Sequence, residues 1–425
     1  MHHSRTGRWL PALLVGLLFN PVGAVAQGAG GGDWAFGGHG KYGYSYTRLP
    51  GNSALQAIGD DLQAHSLDAR FRAAFHAGRW SLETHAQLIG VRSDLLKAGH
   101  TLAALLPGST VISDDRRWFD LTHEFNRHDD KATLARLDRA SIGYTGDKAV
   151  LRFGRQAVSW GSGMLFTPMD IFNPFDPTAV DKEYKTGDDM LYAQYLQDNG
   201  NDLQAVAVVR RDLVSGNVEQ DQSSLALKYH GFWGGSEYDL LLAEHYDDRV
   251  FGASFSSDLG GAVWRTDLVW TDTRSGGVFS TVAGASYSGV LGGRNWTGFL
   301  EYFYNGHGVS DGFSAQDLAA QPDLLQRLAR GELYNLGRHY LGASVTLEMT
   351  PLVLLTPNLF VNLEDPSALA QLVLAWDWQE NIQLLGALSV PLGPDGSEYG
   401  GIEVEQGGPY LSTGASLFAQ LAWYF

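Results

Sequence analysis

Arg70 and Arg72 stand two residues apart in a segment whose intervening positions are apolar. Leu67, Ala69, Phe71, Ala73 and Phe75 alternate there with Asp68, Arg70, Arg72, Ala74 and His76. A guanidinium keeps its proton and presents a planar fork of donors, so arginines fixed on one face of a strand suit carboxylate or phosphate oxygens. Arg139 and Arg152 sit in two further alternating segments, and Asp239, Asp267, Glu301 and Glu348 take the polar positions of later ones. If these segments are strands of one closed ring, the arginines and carboxylates line roughly opposite walls of its pore. Opposed walls of charge set a transverse field that orients polar or zwitterionic solutes, and low-dielectric walls focus it. Lys228, Arg265 and Glu83 blur the division. The plainer reading is that all these groups are solvated residues of a wet interior.

A second concentration of chemistry lies in Ser159–Gly187, SWGSGMLFTPMDIFNPFDPTAVDKEYKTG. It mixes Trp160, Phe166, Phe172 and Phe175 with Asp170, Asn173, Asp176 and Asp181. Pro168, Pro174 and Pro177 stiffen it by fixing φ. A stiff aromatic loop is costly to leave in water, and folding inward would bury its rings and narrow a pore. The alternative is an ordered cap over the rim. Asp170, Asn173 and Asp176 could offer oxygens to Ca2+, but they lack the tight spacing of a dedicated calcium loop, so no metal site is assigned.

Other chemistries are poorly served. The chain has no Cys, which excludes thiolate catalysis, disulfides and iron–sulfur sites. The 13 His are scattered, and no G-x-S-x-G, H-E-x-x-H or phosphate-cradling glycine loop occurs. No catalytic group and no cofactor is expected. A net charge of −17 makes nucleic acid an unsuitable partner.

The elements that must position these residues are strands. Charged residues make up 18% of the 425, below the soluble norm of about 25%, while aromatics reach 12% and Gly numbers 52. Alternation places strands at 34–48, 66–77, 79–90, 134–145, 149–158, 188–196, 202–211, 221–232, 236–246, 249–257, 262–273, 277–288, 294–305, 338–348, 352–363, 367–377, 381–391 and 412–425. That makes eighteen, with sixteen as the alternative. The connections alternate too. One set is short, such as Gly78 and Gly146–Lys148; the other contains 49–65, 91–133, 159–187, 306–337 and 392–411. Short turns at one end and long loops at the other mark an all-β, antiparallel transmembrane barrel, with tight periplasmic turns and long outer loops. Lipid also demands that every spanning backbone group be paired, which only helices or closed barrels achieve. Ser93–Leu106 and Asp323–Arg330, the latter after Pro322, show helical spacing and are expected as short outer-loop helices.

The N-terminus has the layout of a secretory signal. Arg5 and Arg8 precede the apolar run WLPALLVGLLF, and Ala24-Val25-Ala26 forms a small-x-small cleavage site. Residues 1–26 are therefore expected to be removed, leaving 27–425 as the barrel.

The last strand ends on Leu421, Trp423 and Phe425 in alternation. This resembles the terminal strand read by bacterial barrel-assembly machinery and implies the outer membrane of a Gram-negative bacterium. The eighteen-strand layout resembles substrate-specific porins and alginate-export barrels. Leu151–Pro177, LRFGRQAVSWGSGMLFTPMDIFNPFDP, resembles a strand-plus-loop element of uncharacterised proteobacterial barrels. The resemblance implies a channel for passive or selective diffusion of small polar solutes, with outer-membrane lipid and the assembly machinery as partners. The alternative is an export or assembly barrel passing a polysaccharide or other envelope component from a periplasmic partner. The sequence lacks the basic-dominated lumen that polyanion export would need, and it leaves the oligomeric state open.

Overall fold

The computed structural model describes residues 26–27, 32–98, 111–310 and 313–425. Eighteen antiparallel strands close into a barrel. They are β1 Asp33–Arg48, β2 Asp61–Ala77, β3 Trp80–Ser93, β4 Lys131–Thr145, β5 Ala149–Gln156, β6 Asp188–Leu196, β7 Asp202–Val208, β8 Ser224–Trp233 and β9 Ser236–His245. Then come β10 Asp248–Leu259, β11 Ala262–Thr273, β12 Gly276–Leu291, β13 Arg294–Tyr304, β14 His339–Thr350, β15 Val353–Asn362, β16 Ser367–Gln379, β17 Ile382–Leu392 and β18 Ser416–Tyr424. The ring closes where β18 pairs with both β17 and β1, for example Leu384↔Leu421 and Tyr42↔Leu421.

Closure requires the pleat to sort residues by side. Leu67, Leu225, Leu242, Trp264 and Leu300 are each about half exposed in the isolated chain, as a lipid-facing band must be. Their strand neighbours Arg70, Lys228, Asp267 and Glu301 are buried on the other side. Three of the tight turns are Gly-Gly pairs with both φ positive: Gly234–Gly235, Gly260–Gly261 and Gly292–Gly293. Two positive φ values in a row define the type I′ hairpin whose twist matches the flanking strands.

The strand count of eighteen holds and the sixteen-strand alternative does not. Several boundaries move. β2 begins at Asp61 rather than 66, β12 runs on to Leu291, and β18 begins at Ser416 rather than 412. The expected 91–133 loop contains a further strand, Thr122–His128, which pairs with the outer part of β4. Its sequence, THEFNRH, is too polar to show an apolar alternation. A short hairpin, Ile402–Glu403 with Tyr410–Leu411, lies inside the loop after β17.

Of the two expected loop helices, one forms as expected. α1 is Ala315–Ala319, opened by a Ser314–Asp317 capping box, and α2 is Pro322–Arg330, with Pro at its start and Gly331 (φ 70°) closing it. From Ser93 onward only a single 3-10 turn, Asp94–Ala98, is described, and 99–106 lies outside the described residues. Most of the signal segment, residues 1–25, also lies outside them.

Candidate functional site: a lumen crossed by one loop

The segment between β5 and β6 spans the inside of the barrel, and wall side chains hold it from many directions. Asp267 on β11 accepts from the backbone N–H of Ser162 at 3.0 Å and from its hydroxyl at 2.7 Å. Glu301 on β13 accepts from three successive N–H groups, those of Met164 (2.5 Å), Leu165 (2.8 Å) and Phe166 (3.2 Å). Carboxylates receiving several backbone donors make strong, charge-assisted anchors. Phe166 then stacks on Phe303 with ring centroids 4.9 Å apart and approaches Tyr340 of β14 at 6.0 Å.

The aromatic half of the loop packs on an apolar patch of the inner wall. Trp160, Met169 and Phe172 cluster with Met190, Tyr192, Val206, Val250 and Val269. Trp160 also donates its indole N–H to Gln204 at 2.9 Å. Phe172 meets the His245 ring edge-on at 5.7 Å, and Phe175 is half-buried. Asp170 pairs internally with Lys185, its two oxygens 2.5 and 2.6 Å from the ammonium. Burial pushes the Asp170 carboxyl up to about 6 despite that pairing, and it lowers Lys185. Asn173 adopts a left-handed φ of 54°. Asp176 caps its own turn, accepting from the Thr178 N–H and hydroxyl at 2.8 Å each. Among the described residues no group of three His, Cys, Asp or Glu is placed to hold a metal ion.

The second half of the loop reaches the opposite wall. Gln371 on β16 donates to the Thr178 carbonyl at 3.0 Å. Lys41 on β1 pairs with Asp181 at 2.6 Å and with Glu183 at 2.7 Å. Gln420 and Tyr424 on β18 donate to Asp181 (3.1 Å) and Glu183 (2.9 Å). Arg70 on β2 lies over the Tyr184 ring, 4.0 Å from its centroid, and Arg139 on β4 donates to the Lys185 carbonyl at 2.5 Å.

The eight charges singled out along the sequence therefore differ in what they face. Arg70 and Arg139 both pair with Asp138, at 2.6 and 2.9 Å, and Arg136 lies 3.4 Å from it. Arg152 rests over the Tyr192 ring at 4.4 Å. Asp239 is engaged by His230 (2.8 Å) and Lys228 (3.3 Å), and Glu348 receives Asn295 at 2.7 Å. Asp267 and Glu301 are covered by the loop they anchor. Among the described residues, what is left bare on β1–β5 is mainly basic nitrogen, with Asp68 Oδ1 on β2 and Gln156 Oε1 on β5 as bare acceptors on the same wall. His39 Nδ1 and Nε2, Arg72 Nε, His85 Nδ1 and Arg152 Nε are all buried without a hydrogen-bond partner. They sit on β1, β2, β3 and β5; the Tyr184 centroid lies 5.3 Å from the His39 ring and 6.3 Å from the His85 ring, and Arg152 stands apart over Tyr192.

Sequence reasoning had no hold on His39, Lys41, Asp138, Tyr184 and Lys185. Asp138 is the informative one. The β3–β4 register slips between His85 and Ala86, so Asp138 is an extra residue on β4. A bulge of this kind re-aims side chains. Arg136, Asp138 and Arg139 consequently all end buried, although strict alternation would send Arg136 and Asp138 to one face and Arg139 to the other.

No protein-family model and no curated protein sequence matches the chain. Its fold does match solved structures. A BenF-like porin from Pseudomonas fluorescens superposes with a TM-score of 0.52 at 10% identity, covering 93% of this chain and 98% of that one. Acinetobacter baumannii OccAB4 gives 0.51 at 8% identity, covering 96% and 100%. Pseudomonas aeruginosa OccK2 (OpdF), solved in complex with glucuronate, gives 0.51 at 9% identity, covering 92% and 98%. These neighbours support the porin side of the resemblance and not the alginate-export side. At such identities the likeness establishes the architecture: a closed, eighteen-stranded, porin-type barrel.

Proposed function

We propose that the chain is a selective diffusion channel of the Gram-negative outer membrane, passing small polar solutes and favouring those with an anionic group. The observation that carries this is the cluster of buried arginine and histidine nitrogens without hydrogen-bond partners on β1–β5, outnumbering the bare acceptors Asp68 Oδ1 and Gln156 Oε1, beside a loop that crosses the lumen. Burying an unmatched donor costs roughly 1–3 kcal/mol, so donors gathered on one wall favour a solute that satisfies them. Of the carboxylates that would repel an anion, Asp267 and Glu301 are taken up by loop backbone and Asp239 and Asp138 by neighbouring basic groups, while Asp68 on β2 faces His39 at 3.6 Å and keeps one oxygen bare. A carboxylate, with two planar acceptor oxygens, fits the arginine forks best. That one neighbour of the same fold was solved with glucuronate agrees with this chemistry.

The test is reconstitution in planar bilayers. The purified chain should conduct on its own, should prefer anions to cations, and should show current blocked by millimolar carboxylate. A silent barrel that conducts only after the 157–187 loop is deleted would refute free diffusion and favour an exporter.

A further inference from the structure

A cavity of about 400 Å³ opens among the outer loops, bounded by 305–338, by the loop after β17 and by Asp176–Thr178 of the crossing loop. Its volume falls in the range of small-molecule sites. Its lining is the reverse of the basic wall. Tyr334 and Tyr399 contribute rings, leucines such as Leu333 supply apolar surface, and Asp176 and Glu398 are the acidic groups; among the described residues no Lys, Arg or His lines it. Ser412 also lines the cavity, and its hydroxyl is buried with no hydrogen-bond partner.

The field inside is negative. Tyr334 is pushed up to about 12, chiefly by burial and then by the Asp176 charge, and Tyr399 is raised well above its ordinary value, chiefly by burial and then by the Glu398 and Asp176 charges. Glu398 is itself buried and takes donors from Leu336 N–H (2.9 Å), Asn362 (2.7 Å) and the Tyr340 hydroxyl. Asp176 spends only Oδ1 on Thr178 and keeps its other oxygen for a ligand, with the Lys182 ammonium, 2.9 Å from the Pro177 carbonyl, as the cation a ligand ammonium would compete with. The cavity also adjoins the basic wall. Thr178 lines it, and Asp181, three residues on, is paired with Lys41. Three residues of chain reach at most about 11 Å.

We infer that this vestibule is a second subsite, taking the ammonium end and apolar body of a zwitterionic solute whose carboxylate is directed towards the basic wall. An ammonium beside Asp176 gains Coulomb attraction, the Tyr334 and Tyr399 rings offer cation–π surface, and a solute donor or acceptor meets the Ser412 hydroxyl. A plain anion gains nothing there and is repelled by Asp176. The subsite rests on the channel reading above and adds a solute class to it.

The experiment compares two solutes differing only by the ammonium group, radiolabelled L-phenylalanine and 3-phenylpropanoate, entering proteoliposomes of the full chain. The wild type should admit phenylalanine several-fold faster. Asp176→Asn, which keeps an acceptor for Thr178, should bring the ratio close to one, and Ser412→Ala should lower it part-way. A wild-type ratio of one, or an unchanged ratio in Asp176→Asn, overturns the subsite while leaving a channel for 3-phenylpropanoate intact. Entry of neither solute overturns both readings.

Discussion

Glu301 on β13 receives the backbone N–H of Leu165 at 2.8 Å, so a wall carboxylate, not a loop side chain, fixes the loop's position inside the barrel. The neighbouring N–H groups of Met164 and Phe166 converge on the same carboxylate, and Asp267 repeats the arrangement for Ser162. Backbone acceptance is indifferent to loop side-chain identity. The loop can thus vary its rings while its path is held by two acids that sit on rigid strands.

The first prediction follows directly. Glu301→Ala leaves three backbone donors without their acceptor, at roughly 1–3 kcal/mol for each that stays buried. The anchored end of the loop should loosen while the barrel persists. Single-channel recordings should show larger and noisier conductance than the wild type, and Glu301→Gln, which retains one acceptor oxygen, should fall between. A conductance identical to wild type in Glu301→Ala would mean that the loop does not limit the path.

A pH dependence is expected from the outer loop. Glu398 is pushed up to about 7, chiefly by burial. Its folded value lies above the ordinary carboxylate range, so its contribution to stability is complete below about 4.5 and is lost as pH rises through about 7. Amide exchange in residues 393–415, measured from pH 5.5 to 8.5, should quicken at the upper end beyond the intrinsic base catalysis of exchange. Glu398→Gln should remove that excess. An excess unchanged in Glu398→Gln would assign it to another group.

The ring's closure gives a third prediction. Phe425 N–H donates to the Gly38 carbonyl at 3.1 Å, and Gly38 N–H donates back to Phe425 at 2.8 Å. A Cβ on Gly38 would come 2.2 Å from the Arg70 backbone carbonyl on β2 and 2.6 Å from the Phe425 ring. Phe425→Asp sets a charge at this seam and should reduce the folded, heat-modifiable form on gels and raise periplasmic degradation. Gly38→Ala, which crowds both this seam and the β2 backbone at Arg70, should act in the same direction. Wild-type levels of folded Phe425→Asp would remove Phe425 from both closure and assembly.

How much was legible follows from which forces are local. The strands were readable because lipid on one side and water on the other force a period of two, as in Ser416–Tyr424. Loop asymmetry then gave the barrel. Thr122–His128 escaped because its neighbour is the outer part of β4 and its polar sequence has no lipid-facing signature. The site was legible only in part. Inward placement of Arg70, Arg72 and Arg152 follows from the pleat, but the bulge that turns Asp138 towards Arg70 and Arg139 has no sequence mark. Nor did spacing reveal that Asp267 and Glu301 would be capped by backbone, or that Lys41 and Tyr184, separated by more than a hundred residues, would meet across the lumen at 5.8 Å.

The last prediction concerns charge selectivity, and the pairing pattern decides which residues to change. Arg70 is locked to Asp138, so reversing it would break a buried ion pair and confuse folding with conduction, at roughly 3–5 kcal/mol. Arg72 and Arg152 are the cleaner choice, since each leaves its Nε unpartnered and, among the described residues, neither has a carboxylate within salt-bridge distance. Both lie inside, where a charged side chain avoids the roughly 2–4 kcal/mol that the lipid face exacts at midplane. Arg72→Glu with Arg152→Glu moves the basic wall by four charge units without touching the loop anchors. In a salt gradient the reversal potential should shift towards cations, and carboxylate block should weaken by at least tenfold. The same double reversal at Arg92 and Arg274, which are exposed and paired with Asp130 and Asp247, should leave both readings near wild type. If the two pairs of variants shift the potential equally, the field belongs to the whole surface and the wall of β1–β5 is not the selectivity element.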